Sequence, residues 1–237
     1  LILGLGASGL AMARWCAQHG AQVTVADTRE APPQLATLQA EVSAARFIAG
    51  PFNAALAQGV RAVYCSPGLS PEVLAPVLAE AQRAGLPVGG ELTLFARALA
   101  DMRLAPAVAE PLPEPEEDVL PSEDDEAPVA ISAPTAPQGY QPAVLAITGT
   151  NGKTTVTSLT GQLVERAGKT VAVAGNIGPT LLDTLAAHMA ADTLPEVWVL
   201  ELSSFQLDTA QGFEPTAAAV LKLPHAHPAW PASMQPY

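Results

Sequence analysis

The sequence is poor in cysteine and in basic charge, and it has no long apolar run. Two cysteines in 237 residues, Cys16 and Cys65, supply neither a disulfide framework nor a zinc site, and they fit a reducing, cytoplasmic setting. Eleven Lys and Arg stand against 23 Asp and Glu, a formal net charge of −12. That balance excludes a nucleic-acid binder driven by phosphate contacts. No apolar stretch reaches the roughly 18 residues of a membrane-spanning helix, so no membrane insertion is expected. The chain opens at Leu1 inside an apolar strand, with no initiator Met, basic n-region or cleavage site. It is expected to be a fragment trimmed at its start, and the ending P-A-S-M-Q-P-Y, with no helix stop or charged tail, is expected to be cut as well. What the chain does have is 49% hydrophobic residues, enough for one large core or two small ones.

The acidic charge is concentrated. Residues 104–142 hold nine prolines, nine acidic residues and no Lys or Arg. Such a segment cannot bury enough apolar surface to offset chain entropy, and it is expected to be a disordered linker or insertion. On this reading the chain divides into residues 1–103, the linker 104–142, and residues 143–237.

Both flanking segments alternate strand and helix. In the first, strands are expected at 1–3, 22–26, 62–65 and around Val88. Helices are expected at 8–18 (stopped by Gly20), from Pro71 to before Gly85, and at 92–100. In the second, strands are expected at 143–147, 170–174, 197–202 and 216–221, with a helix over 153–167. Val156, Leu159, Leu163, Val164 and Ala167 fall on one face of that helix and are expected to form its core side. The alternation predicts an α/β fold of parallel sheets covered by helices.

Gly4, Gly6 and Gly9 form G-x-G-x-x-G between a strand and a helix, and Asp27 ends the next strand. Such glycines allow a tight turn and close approach of a diphosphate to a helix N-terminus, and the Asp stands where a carboxylate meets a ribose or base. An NAD-type Rossmann domain is the obvious reading, and glycines serving only packing the plainer one. The ligand stays open at this point, because the fold binds many nucleotides.

The second segment carries A-I-T-G-T-N-G-K-T-T between a strand and a helix. Gly149, Thr150, Asn151, Gly152, Lys153, Thr154 and Thr155 form a phosphate loop for ATP. Backbone N–H groups wrap phosphate oxygens, Lys153 brings a point charge to the β/γ-phosphates, and the Thr154 hydroxyl suits Mg²⁺. Full Walker spacing asks for Gly at position 147, where Ile147 stands, so the loop is the shortened form G-x-x-G-K-T. Glu201 ends the apolar strand before L-S-S-F-Q-L, at the strand end where α/β sheets bind ligands, and its carboxylate can hold the nucleotide's Mg²⁺.

Together, T-G-T-N-G-K-T-T, G-N-I-G at 175–178 and E-L-S-S-F-Q-L at 201–207 resemble the Mur ligase family. With D-T-R at 27–29 and S-P-G at 66–68, the likeness is to its D-glutamate-adding branch. The resemblance covers about 1–103 and 143–221. It implies an ATP-dependent, amide-bond-forming ligase of peptidoglycan precursor synthesis, cytoplasmic and monomeric. Its substrates would be UDP-N-acetylmuramoyl-L-alanine and D-glutamate, and its cofactors ATP and Mg²⁺. The first segment is then a Rossmann-like UDP-binding domain, with Ala7 and Ser8 at the diphosphate and Asp27, Thr28, Arg29 and Gly68 around uracil and ribose. The second is an incomplete ATP-binding domain, with Lys153 on the phosphates, Thr154 and Glu201 on the first Mg²⁺, and Asn176, Ser203 and Gln206 at the muramoyl-alanine part.

The resemblance weakens after Leu221. His227 falls on the family's metal-binding His, and Ser233, Met234 and Tyr237 match. Lys222, Ala226 and Ala229 replace the family's Asn and two Asp, and Pro228, Pro231 and Pro236 interrupt an expected helix. His227 therefore reads equally as a second-metal ligand or as a surface residue. The resemblance also implies a modified Lys and a third domain that this chain does not contain, so the chain alone is expected to bind without turning over. An NAD-dependent oxidoreductase and a non-catalytic UDP-sugar or ATP-binding module stand as the alternatives.

Overall fold

A computed structural model describes residues 1–104 and 139–222. The expectation of a linker at 104–142 falls almost wholly outside these residues, as do His227 and the rest of the altered tail. The described chain is α/β, with two parallel sheets. Residues Leu1–Arg97 and the second sheet from Pro142 onward belong to one compact unit. Ala98–Gln141 belongs to another, in which the Tyr140 N–H donates to the carbonyl of Met102 at 3.1 Å.

The first sheet is built from β1 (Ile2–Leu3), α1 (Ala7–Gln18), β2 (Thr24–Asp27), α2 (Leu35–Glu41), β3 (Arg46–Ala49), a 3₁₀ turn (Ala54–Ala57), β4 (Val63–Cys65), α3 (Pro71–Arg83), β5 (Val88–Gly89) and α4 (Glu91–Leu104). Its strand order is β3-β2-β1-β4-β5, all parallel. Chain direction across the sheet reverses between β1 and β4, which opens a crevice at their carboxyl ends. Leu3, Ala26, Phe52, Val63, Cys65, Leu74 and Val77 form the core under α3. Burial pushes the Cys65 thiol up to about 12, so it behaves as an inert apolar side chain.

The second sheet comprises β6 (Ala143–Gly149), α5 (Lys153–Arg166), β7 (Val171–Gly175), α6 (Leu181–Ala190), β8 (Val197–Glu201), α7 (Ser204–Asp208) and β9 (Ala217–Leu221). Its order is β7-β8-β6-β9, again all parallel. α5 packs on β7 and β8, and α6 packs on β7 and against α1 of the first sheet. Among the described residues no helix is long and apolar enough to cross a membrane.

The expected elements are present, with ends displaced by a few residues. One expectation fails. α5 turns Thr157 and Gly161 to the sheet, whereas Leu159 and Leu163 are 52% and 65% exposed. The cause is close approach. A Cβ on Gly161 would lie 2.8 Å from Val173 Cγ2, so small residues, and not the apolar ones, define the seam. α2, β3, α6 and α7 were not foreseen. β3 is an edge strand with no buried residue, and α2 buries only Leu38 among its residues, so neither has a strong apolar pattern. For α6 the signal was present, since Thr180 caps it by accepting from the Asp183 N–H.

Candidate functional site

The carboxyl ends of the two parallel sheets define two candidate clefts. The first begins at Gly4, whose φ of +87° turns the chain out of β1. Gly9 is required by packing, because a Cβ there would sit 2.0 Å from the Gly4 carbonyl oxygen. Gly6 is different. Its φ is −93°, and a Cβ would meet nothing within 4 Å. Neither strain nor packing demands glycine at that position, which leaves room in front of the first turn of α1. Ser66, buried at the end of β4, donates its hydroxyl to the Gly4 carbonyl at 2.8 Å and ties the second loop of the cleft to the first.

Asp27 takes a role the spacing did not disclose. It is 2% exposed, and its Oδ2 accepts the Leu5 N–H at 2.7 Å, inside the glycine loop. The Arg29 N–H and Nε donate to Oδ1 at 2.9 and 2.8 Å, and Arg29 Nη2 donates to Oδ2 at 2.8 Å. The carboxylate thus holds the loop and orients the half-exposed Arg29 guanidinium. Ala7, Thr28, Arg29 and Gly68 are exposed around the cleft, and Ser8 is half-buried. Leu5 and Ser66 escaped the sequence reading as site residues; S-P-G at a strand end was the available signal for Ser66.

Burial alone would raise the Asp27 carboxyl, but the Arg29 hydrogen bonds, the Leu5 and Arg29 N–H groups and the Arg29 charge outweigh it and bring it to about 2, from an ordinary 3.8. A carboxyl depressed in the folded state stabilises the fold above its unfolded value, and that contribution is lost as pH falls through the folded value. Acid unfolding followed by circular dichroism is therefore expected to show stability declining between about pH 4 and about pH 2, with the decline shallower in Asp27→Asn. Identical acid profiles would remove Asp27 as the anchor.

The second cleft is formed by the loop from β6 to α5. Gly149 (φ +128°) lies so close to β9 that a Cβ would meet the Leu221 carbonyl oxygen at 1.9 Å. Gly152 (φ +85°) precedes α5 and offers no side-chain cap, so the first N–H groups of a 14-residue helix face the loop. Lys153 Nζ donates to the Gly149 carbonyl at 2.8 Å, which keeps its charge over the loop. The Thr150 N–H and hydroxyl both donate to the Lys222 carbonyl. Asn151 and Thr155 are exposed.

Glu201 ends β8 between Ile147 of β6 and Gly175 of β7. It is 1% exposed. Thr154 Oγ1 donates to its Oε2 and Asn176 Nδ2 to its Oε1, both at 2.9 Å. Both of these partners are neutral, and among the described residues no ion pair involves Glu201. A buried carboxylate beside a phosphate-loop hydroxyl, without a cationic side chain, is the oxygen donor set that a hard divalent ion takes. Ser203 and Gln206 form the capping box of α7: the Ser203 N–H donates to Gln206 Oε1 at 2.9 Å, and the Gln206 N–H to Ser203 Oγ at 3.3 Å. The structure thus brings Thr154, Asn176 and Glu201 into one cluster, holds Lys153 on the Gly149 carbonyl of the adjacent loop, and pairs Ser203 with Gln206 on the adjoining helix.

Residues 1–90 match the family described as Mur ligase MurD-like, N-terminal domain, and residues 147–237 match Mur ligase middle domain. All of the chain aligns with the UDP-N-acetylmuramoylalanine--D-glutamate ligase of Polaromonas sp. (strain JS666) at 55% identity, covering 50% of that protein. All of it also aligns with the ligase of the same name from Albidiferax ferrireducens at 59% identity, covering 41%. The chain thus spans about half or less of the length of these curated relatives. In fold it is similar to the UDP-N-acetylmuramate:L-alanyl-gamma-D-glutamyl-meso-diaminopimelate ligase from Neisseria meningitides, at 15% identity and a TM-score of 0.50, over 98% of this chain and 63% of that one.

Proposed function

The chain belongs to the Mur ligase family, of which it carries an N-terminal and a middle domain, and from that premise we propose that it supplies the two nucleotide sites of an ATP-dependent ligase joining D-glutamate to UDP-N-acetylmuramoyl-L-alanine. The observation that carries this reading is the buried Glu201 carboxylate facing the Thr154 hydroxyl at the start of α5.

The first cleft takes UDP. The diphosphate lies against Gly6, Ala7 and Ser8, where the N–H groups of α1 and the absence of a side chain favour it. Thr28, Arg29 and Gly68 bound the uracil and ribose, with Asp27 holding Arg29 in place. The second cleft takes the ATP phosphates on the N–H groups of the loop, with Lys153 as their point charge. Thr154 and Glu201 would hold Mg²⁺, which supplies positive charge that screens two approaching anions. His227 is proposed as a further metal ligand on resemblance alone. Asn176, Ser203 and Gln206 shape the muramoyl-alanine side.

In the reaction, the alanyl carboxylate oxygen attacks the γ-phosphorus, the bond to the β-phosphate oxygen breaks, and ADP leaves. The D-glutamate amine then attacks the acyl carbon, an amide forms, and inorganic phosphate departs with the amine's proton passing to solvent or a base. Lys153 serves the first step by neutralising charge, and both steps rely on holding the reactants in line. We propose that this work is done in the cytoplasm, where ATP and UDP-linked precursors are available, and that the chain acts as a monomer. By itself it is proposed to bind both nucleotides without measurable ligation.

Gly6 provides the test. Gly6→Ala is expected to change unfolding free energy by no more than about 0.5 kcal/mol, because its Cβ enters open space. UDP affinity, measured by calorimetry, is expected to fall by about tenfold or more, since that space receives the diphosphate. Unchanged UDP binding in the variant, or saturable NADH binding that UDP fails to displace, would sink the assignment.

A further inference from the structure

Thr93 is a buried residue of α4 that the proposed reaction leaves unused. Its hydroxyl joins segments of both sheets. The Gly90 N–H donates to Oγ1 at 3.3 Å, within the turn that leads from β5 into α4. The Gln211 N–H donates to the same oxygen at 3.3 Å, and the hydroxyl itself donates to the Thr209 carbonyl at 3.0 Å. A hydroxyl has one proton to give and two lone pairs to receive with, so these three bonds use its full capacity. A residue needed only to begin α4 would require the first bond alone. The other two reach 116 and 118 residues along the chain.

Each end of this link lies beside a cleft. On the first-sheet side, Gly89 of β5 pairs with Tyr64 of β4. A Cβ on Gly90 would stand 3.3 Å from the Cys65 carbonyl oxygen, so the turn lies against the end of β4. The next residue, Ser66, holds the Gly4 carbonyl and opens S-P-G, whose Gly68 is exposed at the first cleft. On the second-sheet side, Thr209 is the C-cap of α7, and Ser203 with Gln206 is the capping box at the other end of that helix. α7 has five residues, too few to persist on its own hydrogen bonds, so its position depends on what grips its ends. Its C-cap sits close to the first sheet, because a Cβ on Gly90 would lie 2.7 Å from Thr209 Oγ1.

We infer that Thr93 is a positioning residue that sets the spacing between S-P-G at the first cleft and the Ser203–Gln206 turn at the second, and so the fit of a single ligand spanning both. This rests on the reading of the first cleft as the UDP site and of α7 as part of the muramoyl-alanine side. A ligand with two covalently joined halves gains from its second half only when the two sites stand at the distance its own length allows. UDP alone, or ATP alone, occupies one cleft and does not sense that distance.

The experiment is calorimetric titration of the 237-residue chain with UDP and with UDP-N-acetylmuramoyl-L-alanine, and the quantity read is the ratio of the two affinities. The wild type is expected to bind the muramoyl-alanine form at least about tenfold more tightly. Thr93→Val keeps the shape and removes all three bonds. It is expected to cut the ratio by at least about fivefold, since small misplacements of joined sites are costly, with UDP and ATP affinities nearly unchanged. Thr93→Ser keeps the hydroxyl and is expected to keep the wild-type ratio. If Thr93→Val does not fold, Gly90→Ala takes its place, because its Cβ pushes Thr209 from the other side with Thr93 intact. A wild-type ratio in the folded variant, including equal losses for both ligands, overturns the proposal and leaves Thr93 a structural link. A lowered ratio in Thr93→Ser also overturns it, because the hydroxyl is then not the cause. If the wild type binds UDP and gains nothing from the muramoyl-alanine part, the reading of α7 fails and this inference with it, while the UDP site stands. Absence of UDP binding by the wild type overturns the first-cleft reading itself, and this inference as well.

Discussion

Replacing Trp198 by alanine is expected to lower the unfolding free energy by about 3–5 kcal/mol, the usual loss for deleting a fully buried large aromatic side chain. Trp198 is 0% exposed in β8, at the centre of the second sheet. Its indole meets Phe95 of α4 edge-on, with ring centroids 5.1 Å apart and planes at 77°. His188 of α6 meets it likewise at 5.8 Å and 81°. Such perpendicular pairs add to simple area burial. Because Phe95 follows the last strand of the first sheet, deleting the indole loosens the seam between the sheets as well as the core of one of them. Urea unfolding monitored by circular dichroism measures the loss, and Trp198→Phe is expected to restore much of it. A loss under about 1 kcal/mol would mean that the neighbouring side chains collapse into the space and that the aromatic cluster does not hold the sheets together.

Lys153→Ala is expected to weaken binding of ATP with Mg²⁺ by about 1.5–3 kcal/mol, or roughly 10–150-fold, the range for losing one charge-assisted contact. The native ammonium donates to the Gly149 carbonyl from a partly buried position, so its charge already stands over the loop without further ordering. Removing it leaves that carbonyl at the edge of the cleft, where water can replace the donor, and circular dichroism and thermal midpoint are expected to change little. UDP affinity measured alone should also persist, since the two clefts belong to different sheets. Calorimetric titration separates these outcomes, and an unaltered ATP affinity would refute the phosphate-loop assignment.

The parts of the molecule legible in the sequence were those whose cause is local. Strand, glycine turn and helix follow one another within a dozen residues at both clefts, so G-x-G-x-x-G and G-x-x-G-K-T could be placed on the fold from spacing alone, and the structure has them at the ends of β1 and β6. The strand-end carboxylates were legible for the same reason, because an apolar run that stops at an acidic residue marks where a strand leaves the core; both Asp27 and Glu201 stand there.

What those carboxylates touch was decided only by tertiary structure. Asp27 turns to the Leu5 N–H, 22 residues away, and to Arg29; Glu201 receives Thr154 from 47 residues before it. No rule of spacing brings such pairs together, since their approach depends on strand order and on how closely each helix settles on its sheet. The same reason explains the error at α5. Helical periodicity correctly put Leu159 and Leu163 on a common side, but the side that seats on a sheet is chosen by fit. Gly161 lets the helix come near Val173, which a larger residue at that position would prevent. Glu91 is the extreme case: by sequence an ordinary acidic residue in the first turn of a helix, it acquires its partner on α6 only when the two sheets are brought together, because the Leu182 N–H that satisfies it comes from 91 residues further along the chain.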